Sequence, residues 1–273
     1  MKRWILILIA AILLVPVAIR VVRTPSVSRE WHPQQRTLPE VNVRGDLVEI
    51  RNLRDFTYRT ENDFDERYAD RSYDLRKLDS ADYVVSRFGG VPGLAHAFLS
   101  FGFGDERVAV SVEARKERGE TYSPLRGLLN EYELMYVVGT ERDLIGVRTH
   151  VWKEAVTLYP IRATGEQLRQ LFLEMLTRAE RLRHEPEFYD TLFNSCNSNI
   201  VSHVDTIAPG TIGFDVRTIL PGFADSVAHE LGLIDSSLPL EQIREAYRID
   251  QQASRLPLDE SFSRGIRRHL PPR

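Results

Sequence analysis

Ala95-His96-Ala97-Phe98-Leu99-Ser100-Phe101-Gly102-Phe103-Gly104-Asp105-Glu106-Arg107-Val108-Ala109-Val110-Ser111-Val112-Glu113-Ala114 reads as a β-hairpin. Aromatic and β-branched residues fill both arms, and residues 102–106 supply a short glycine-bearing connection. Side chains alternate along a strand with a period of two. His96, Phe98 and Ser100 therefore share one face of the first arm, and Ala97, Leu99 and Phe101 share the other. On the returning arm Ala109, Ser111 and Glu113 share a face opposite three valines. Gly89, Gly90, Pro92 and Gly93 form a dense turn cluster just before the hairpin.

Working outward, strand-like stretches precede the hairpin at 47–53, 56–59, 71–78 and 81–88, and follow it at 134–138, 145–151 and 156–161. Helical spacing takes over after them. Thr164 with Gln167 has the form of a capping box, and Leu168, Leu171, Phe172, Met175, Leu176, Ala179 and Leu182 then recur as one apolar stripe. A second helix begins near residues 194–197, carries Ile200, Val201, Val204 and Ile207, and stops at Pro209-Gly210. Beyond Gly213 the chain reads as short helices and loops, with 240–253 the clearest helix. Strands first and helices afterwards predict an α+β fold, an antiparallel sheet packed with helices. The expected organisation is a membrane anchor or signal segment over 1–23, a linker over 24–45, a catalytic domain over 46–213 and a helical extension over 214–273.

Lys2 and Arg3 precede an unbroken apolar run from Trp4 to Ile19, after which Arg20 and Arg23 appear. A positive start followed by such a run is an export signal. At about 1.5 Å per residue it spans about 24 Å, slightly short of a hydrocarbon core, a gap that Val21, Val22 and snorkelling Arg20 can close. No clean small-x-small cleavage site follows, which favours a retained anchor, and the basic N-terminus predicts a domain on the periplasmic side. Residues 24–45 carry Pro25, Pro33 and Pro39 and read as a spacer, with Trp31 fitting either a membrane interface or packing on the domain. A net charge of −3 gives no reason to expect a nucleic-acid partner.

There is one cysteine, so no intramolecular disulfide exists, and a lone thiol in an oxidising compartment invites a functional explanation. Cys196 lies in Phe193-Asn194-Ser195-Cys196-Asn197-Ser198-Asn199 at an expected helix start. Unpaired backbone N–H groups and the positive end of the helix dipole favour negative charge on the sulfur. Asn194, Ser195 and Asn197 are residues that start helices, and the amides there can also hold an oxyanion. His96, opening a strand after a glycine-rich turn, is the candidate base. Glu113 is the candidate carboxylate beside it, subject to a cross-strand register that the sequence leaves open. The competing readings are a buried inert thiol and a structural histidine. Dispersed histidines with a single cysteine give no zinc site, no cofactor is indicated, and a Gly-x-Ser-x-Gly elbow is missing.

A histidine on an early strand, followed much later by Asn-x-Cys opening a helix, resembles circularly permuted papain-like enzymes related to the NlpC/P60 and lecithin–retinol acyltransferase group. More narrowly, Gly93–Phe101, Ser111–Glu117 and Pro186-Glu187-Phe188-Tyr189 with Asn194 and Cys196 resemble the Lnb N-terminal periplasmic domain family, with a looser match at 262–267. Lnb proteins are bacterial lipoprotein N-acyltransferases working at the outer face of the inner membrane. By that resemblance Cys196 attacks a phospholipid acyl ester while His96 takes the thiol proton. The thioester is then released to an amine such as a lipoprotein N-terminus. The implied partners are thus a membrane phospholipid donor and a lipoprotein or other envelope amine. This chain shows only one hydrophobic segment, so the assignment rests on a shared domain. Two further readings stay open: a thiol hydrolase of cell-wall amides or esters, and a non-catalytic envelope module that binds lipid or a partner.

Overall fold

The computed structural model describes residues 20–272. Ten strands form: β1 (Glu40–Arg44), β2 (Leu47–Arg54), β3 (Thr57–Tyr58), β4 (Phe64–Asp65), β5 (Tyr68–Asp74), β6 (Ser80–Arg87), β7 (Ala95–Phe103), β8 (Glu106–Arg115), β9 (Glu133–Gly139) and β10 (Ala155–Pro160). The helices are α1 (Pro124–Gly127), α2 (Glu141–Gly146), α3 (Gly165–Arg181), α4 (Cys196–Ile207), α5 (Pro221–Glu230), α6 (Leu240–Ala246), α7 (Asp250–Ala253) and α8 (Phe262–Gly265). One sheet runs β1-β2-β9-β8-β7-β6-β10, with β5 also paired to β2, and β3-β4 form a separate ribbon. Its pairings are antiparallel except where β2 meets β9 in parallel at Arg54 and Gly139. The α+β expectation is met, by a mixed sheet packed with helices.

The hairpin occupies the middle of that sheet. Apolar side chains of its arms pack against helices on both faces. Leu99, Phe101, Val108 and Val110 pack with Leu168, Phe172 and Leu176 of α3 and with Ile200 of α4. Phe98, Ala109, Met135 and Val137 pack on the other side with Leu144, Ile249, Phe262 and Ile266. The Thr164–Gln167 capping box opens α3 as expected.

Three expectations are corrected. Residues 145–151, read as a strand, continue α2 as a π-helical turn over Val147–Val151. Thr140 caps this helix on Asp143, and the segment is buried on nearly every side, so its β-branched alternation says nothing about an outer face. The single helix expected over 240–253 is split into α6 and α7. Between them, the Tyr247 carbonyl accepts from the Leu158 N–H and the Ile249 N–H donates to the Val156 carbonyl, both on edge strand β10. The 24–45 stretch is not a free spacer: it adds β1 to the sheet and buries Trp31, over whose ring Arg115 sits at 4.0 Å. Among the described residues no helix is long and apolar enough to cross a membrane. The apolar run 4–19 lies outside them.

Candidate active site

The turn Asp190–Asn194 delivers the chain to Cys196. Asp190 caps it by accepting from the backbone N–H groups of Leu192 and Phe193. Asn194 is held by its amide donating to the Phe188 carbonyl at 2.8 Å, and it accepts from Asn199 at 3.0 Å. The Ser195 backbone N–H donates to Ser198 Oγ at 2.7 Å. Asn197 donates to the Thr218 carbonyl at 2.7 Å and accepts from Tyr83 Oη at 2.9 Å. Asn194 and Asn197 thus fix the helix start through bonds to neighbouring elements. Cys196, the first residue of α4, is buried at 4% exposure yet lines a cleft of about 430 Å³.

His96 enters the same cleft at the first turn of β7. Phe98 faces Ser111 across the ladder, so stepping two residues along each strand brings His96 opposite Glu113. This is the register that the sequence left open. Ser111 Oγ donates to Glu113 Oε1 at 2.7 Å and lies 2.7 Å from His96 Nε2. The hydroxyl proton being committed to Glu113, Nε2 carries the hydrogen that Ser111 accepts, an assignment made from the network. His96 Nε2 also lies 3.2 Å from Glu113 Oε1. His96 comes from one face of the sheet and Cys196 from the helix on the other, and they meet at the sheet's end.

The electrostatics follow from that meeting. Burial lowers the basicity of His96, but the Glu113 carboxylate, and after it Cys196, outweigh burial and raise its pKa to about 9. Burial pushes the Glu113 carboxyl up, and His96 with Arg148 overcomes this and holds it far below the usual carboxylate range. At neutral pH the pair is therefore imidazolium and carboxylate.

Sequence reasoning missed Arg148. Its guanidinium donates to Glu113 Oε1 at 3.1 Å and to the Leu144 carbonyl at 2.6 Å, and lies 4.8 Å from the Phe98 ring centre. An arginine within the apolar run Leu144-Ile145-Gly146-Val147-Arg148 was the available signal, masked by the strand reading. Tyr122 and Tyr189, with hydroxyls 3.2 Å apart, form another wall, and Glu154, whose pKa burial raises, accepts from Ser86. His203, on α4, is absent from the cleft lining; it bonds Tyr136 Oη, and burial lowers its pKa to about 4.

The far wall of the cleft depends on a close backbone approach. Gly93 sits at φ +90°, and a Cβ there would meet Phe223 at 2.8 Å. A Cβ on Gly222 would fall 2.6 Å from the Gly93 Cα, and the Gly222 N–H donates to the Gly93 carbonyl. Two glycines thus let α5 press on the loop that aims His96. A buried thiol beside a carboxylate-supported imidazole, in a cleft open to solvent, is an arrangement suited to nucleophilic acyl transfer. Among known proteins, the family model described as the Lnb N-terminal periplasmic domain matches residues 64–222. No curated protein and no solved structure matches the chain.

Proposed function

We propose, from the premise that this chain belongs to the Lnb N-terminal periplasmic domain family, that it is a membrane-anchored thiol acyltransferase. Membership puts the chain on the periplasmic side, associated with the cell envelope. The observation that carries the enzymatic reading is the convergence of Cys196, His96 and Glu113 on one cleft, with His96 Nε2 3.2 Å from Glu113.

The steps run as follows. Nε2 is committed to Ser111 and Glu113, which leaves Nδ1 to hold the proton that Cys196 has given up, so the resting pair is imidazolium and thiolate. The thiolate attacks the carbonyl of a phospholipid acyl ester. A C–S bond forms, the ester C–O bond breaks, and the leaving alkoxide takes the proton from the imidazolium. Backbone N–H groups at the start of α4 stabilise the oxyanion. An amine, such as the N-terminus of a lipoprotein, then attacks the thioester and gives its proton to His96 as the C–S bond breaks. Glu113 stabilises the imidazolium each time it forms, and Arg148 helps hold Glu113 as the carboxylate. Residues 4–19 bring the chain to the membrane where donor and acceptor lie.

The test is intact-protein mass spectrometry of the membrane-embedded full chain incubated with phospholipid, comparing wild type with Cys196→Ser and His96→Ala. The expected result is a hydroxylamine-sensitive acyl adduct in wild type and none in either variant. A reactive thiol that never holds an acyl group would shift the assignment to a hydrolase of cell-wall amides or esters. A thiol inert to alkylating probes would leave a binding module.

A further inference from the structure

We propose that the face surrounding the mouth of the thiol cleft rests on the surface of a lipid bilayer. The proposal rests on the reading above that residues 4–19 enter the membrane. The first observation is where the described chain begins. Arg20 follows the apolar run directly, and its guanidinium pairs with Asp190 at 2.7 Å, in the turn that leads into Cys196. Arg20 also donates to the Leu128 carbonyl, and Arg23 to those of Leu129 and Asn130. Further along, Arg29 pairs with Glu133 at 2.8 Å and Trp31 is buried. Residues 20–31 are thus laid along the domain, with no slack that would let the cleft swing away from whatever residues 4–19 enter.

The second observation is what surrounds that point. Leu125 and Phe193 are 74% and 73% exposed, and Val21 and Val22 are still more so. These side chains belong to three segments joined to one another beside the cleft, through Arg20 with Asp190 and Thr191 with Pro124. Thr191, which lines the cleft, donates to the carbonyl of Pro124, which also lines it, next to Leu125. Phe193 belongs to the turn that Asp190 caps. Leu220, which lines the cleft, and Phe223 are also exposed and lie against Gly93. Large exposed apolar side chains on segments that border the cleft, with basic Arg20 and Arg23 beside them, suit the interface of a bilayer carrying anionic lipid. A donor lipid would then reach Cys196 by rising part-way out of the leaflet, without crossing water.

The test uses the full chain with Cys196→Ser as background. Single cysteines replace Leu125, Phe193, Leu220 or, as a control on the exposed side of α3, Glu166, and each carries an environment-sensitive fluorophore. The proteins are reconstituted in vesicles of phosphatidylethanolamine and phosphatidylglycerol. Labels at 125, 193 and 220 should be quenched roughly twofold or more by nitroxide lipids and shielded from aqueous iodide, with the reverse at 166. Iodide quenching at all four sites would overturn the proposal. So would equal shielding in detergent without a bilayer, the mark of a second copy covering this face. An acyl adduct on wild-type Cys196 with all labels in water would sink the docking face alone. Embedded labels without an adduct would sink acyl transfer alone.

Discussion

Replacing Glu113 by Gln keeps the side-chain volume and removes the carboxylate that, against burial, raises the basicity of His96. The His96 ring should then titrate well below about 9, read from its proton resonances, and acyl-adduct formation should slow by about 10²–10⁴-fold. Retained rates with a lowered midpoint would show that acyl transfer does not need the raised basicity of His96. A second consequence concerns stability. His96 is more basic folded, at about 9, than its ordinary 6.5, so protonation favours the native state. That contribution is complete below pH 6.5 and is lost as pH rises through 9. Denaturant unfolding should show wild type losing up to about 3 kcal/mol relative to His96→Gln across this window. Cys196, His96 and Glu113 were legible in the sequence because helix starts and period-two faces are local properties. Their register was not, since strand pairing is set by the whole sheet. Arg148 escaped because a buried arginine makes sense only once its carboxylate partner is known.

Among the elements, the contact between α5 and the loop before β7 has the least tolerance. Gly222→Ala places a methyl 2.6 Å from the Gly93 Cα, so backbone must move, and the nearest backbone leads directly to His96. The expected cost is about 1–3 kcal/mol in unfolding free energy. Alkylation of Cys196 should change its pH profile as well, since the loop aims the imidazole. Unchanged stability and labelling would show that α5 shifts freely. Elements with a sharp local signal, such as the Thr164 capping box and the 95–114 hairpin, fold as read. Residues 145–151 and 240–253 departed for a shared reason: burial on most sides erases the periodicity that separates strand from helix, and a neighbouring edge strand recruited the backbone at 247–249.

At the scale of the molecule, the family match over 64–222 is smaller than the unit that holds together. β1 and β2 lie before it, and Arg267 lies well after it, donating to Glu141 at 2.5 Å and to Asp82 at 2.7 Å. Both carboxylates are buried, so Arg267→Ala leaves them without their main cation and should cost about 3–5 kcal/mol, visible as a lower thermal midpoint. A midpoint within 1 °C of wild type would mean that the acids find another partner. The 24–45 stretch misled for a similar reason, because proline and polar residues look like a tether until the sheet that receives β1 exists.

The Arg267 clamp also sets an order of events in time. A chain that emerges from its N-terminus onward has its hairpin, its thiol and both buried acids in hand long before residue 267 arrives. Until then the acids at 82 and 141 lack the cation that bridges them, and the sheet face that α8 covers stays open. Closure of that face therefore waits for residues far beyond the hairpin and the thiol.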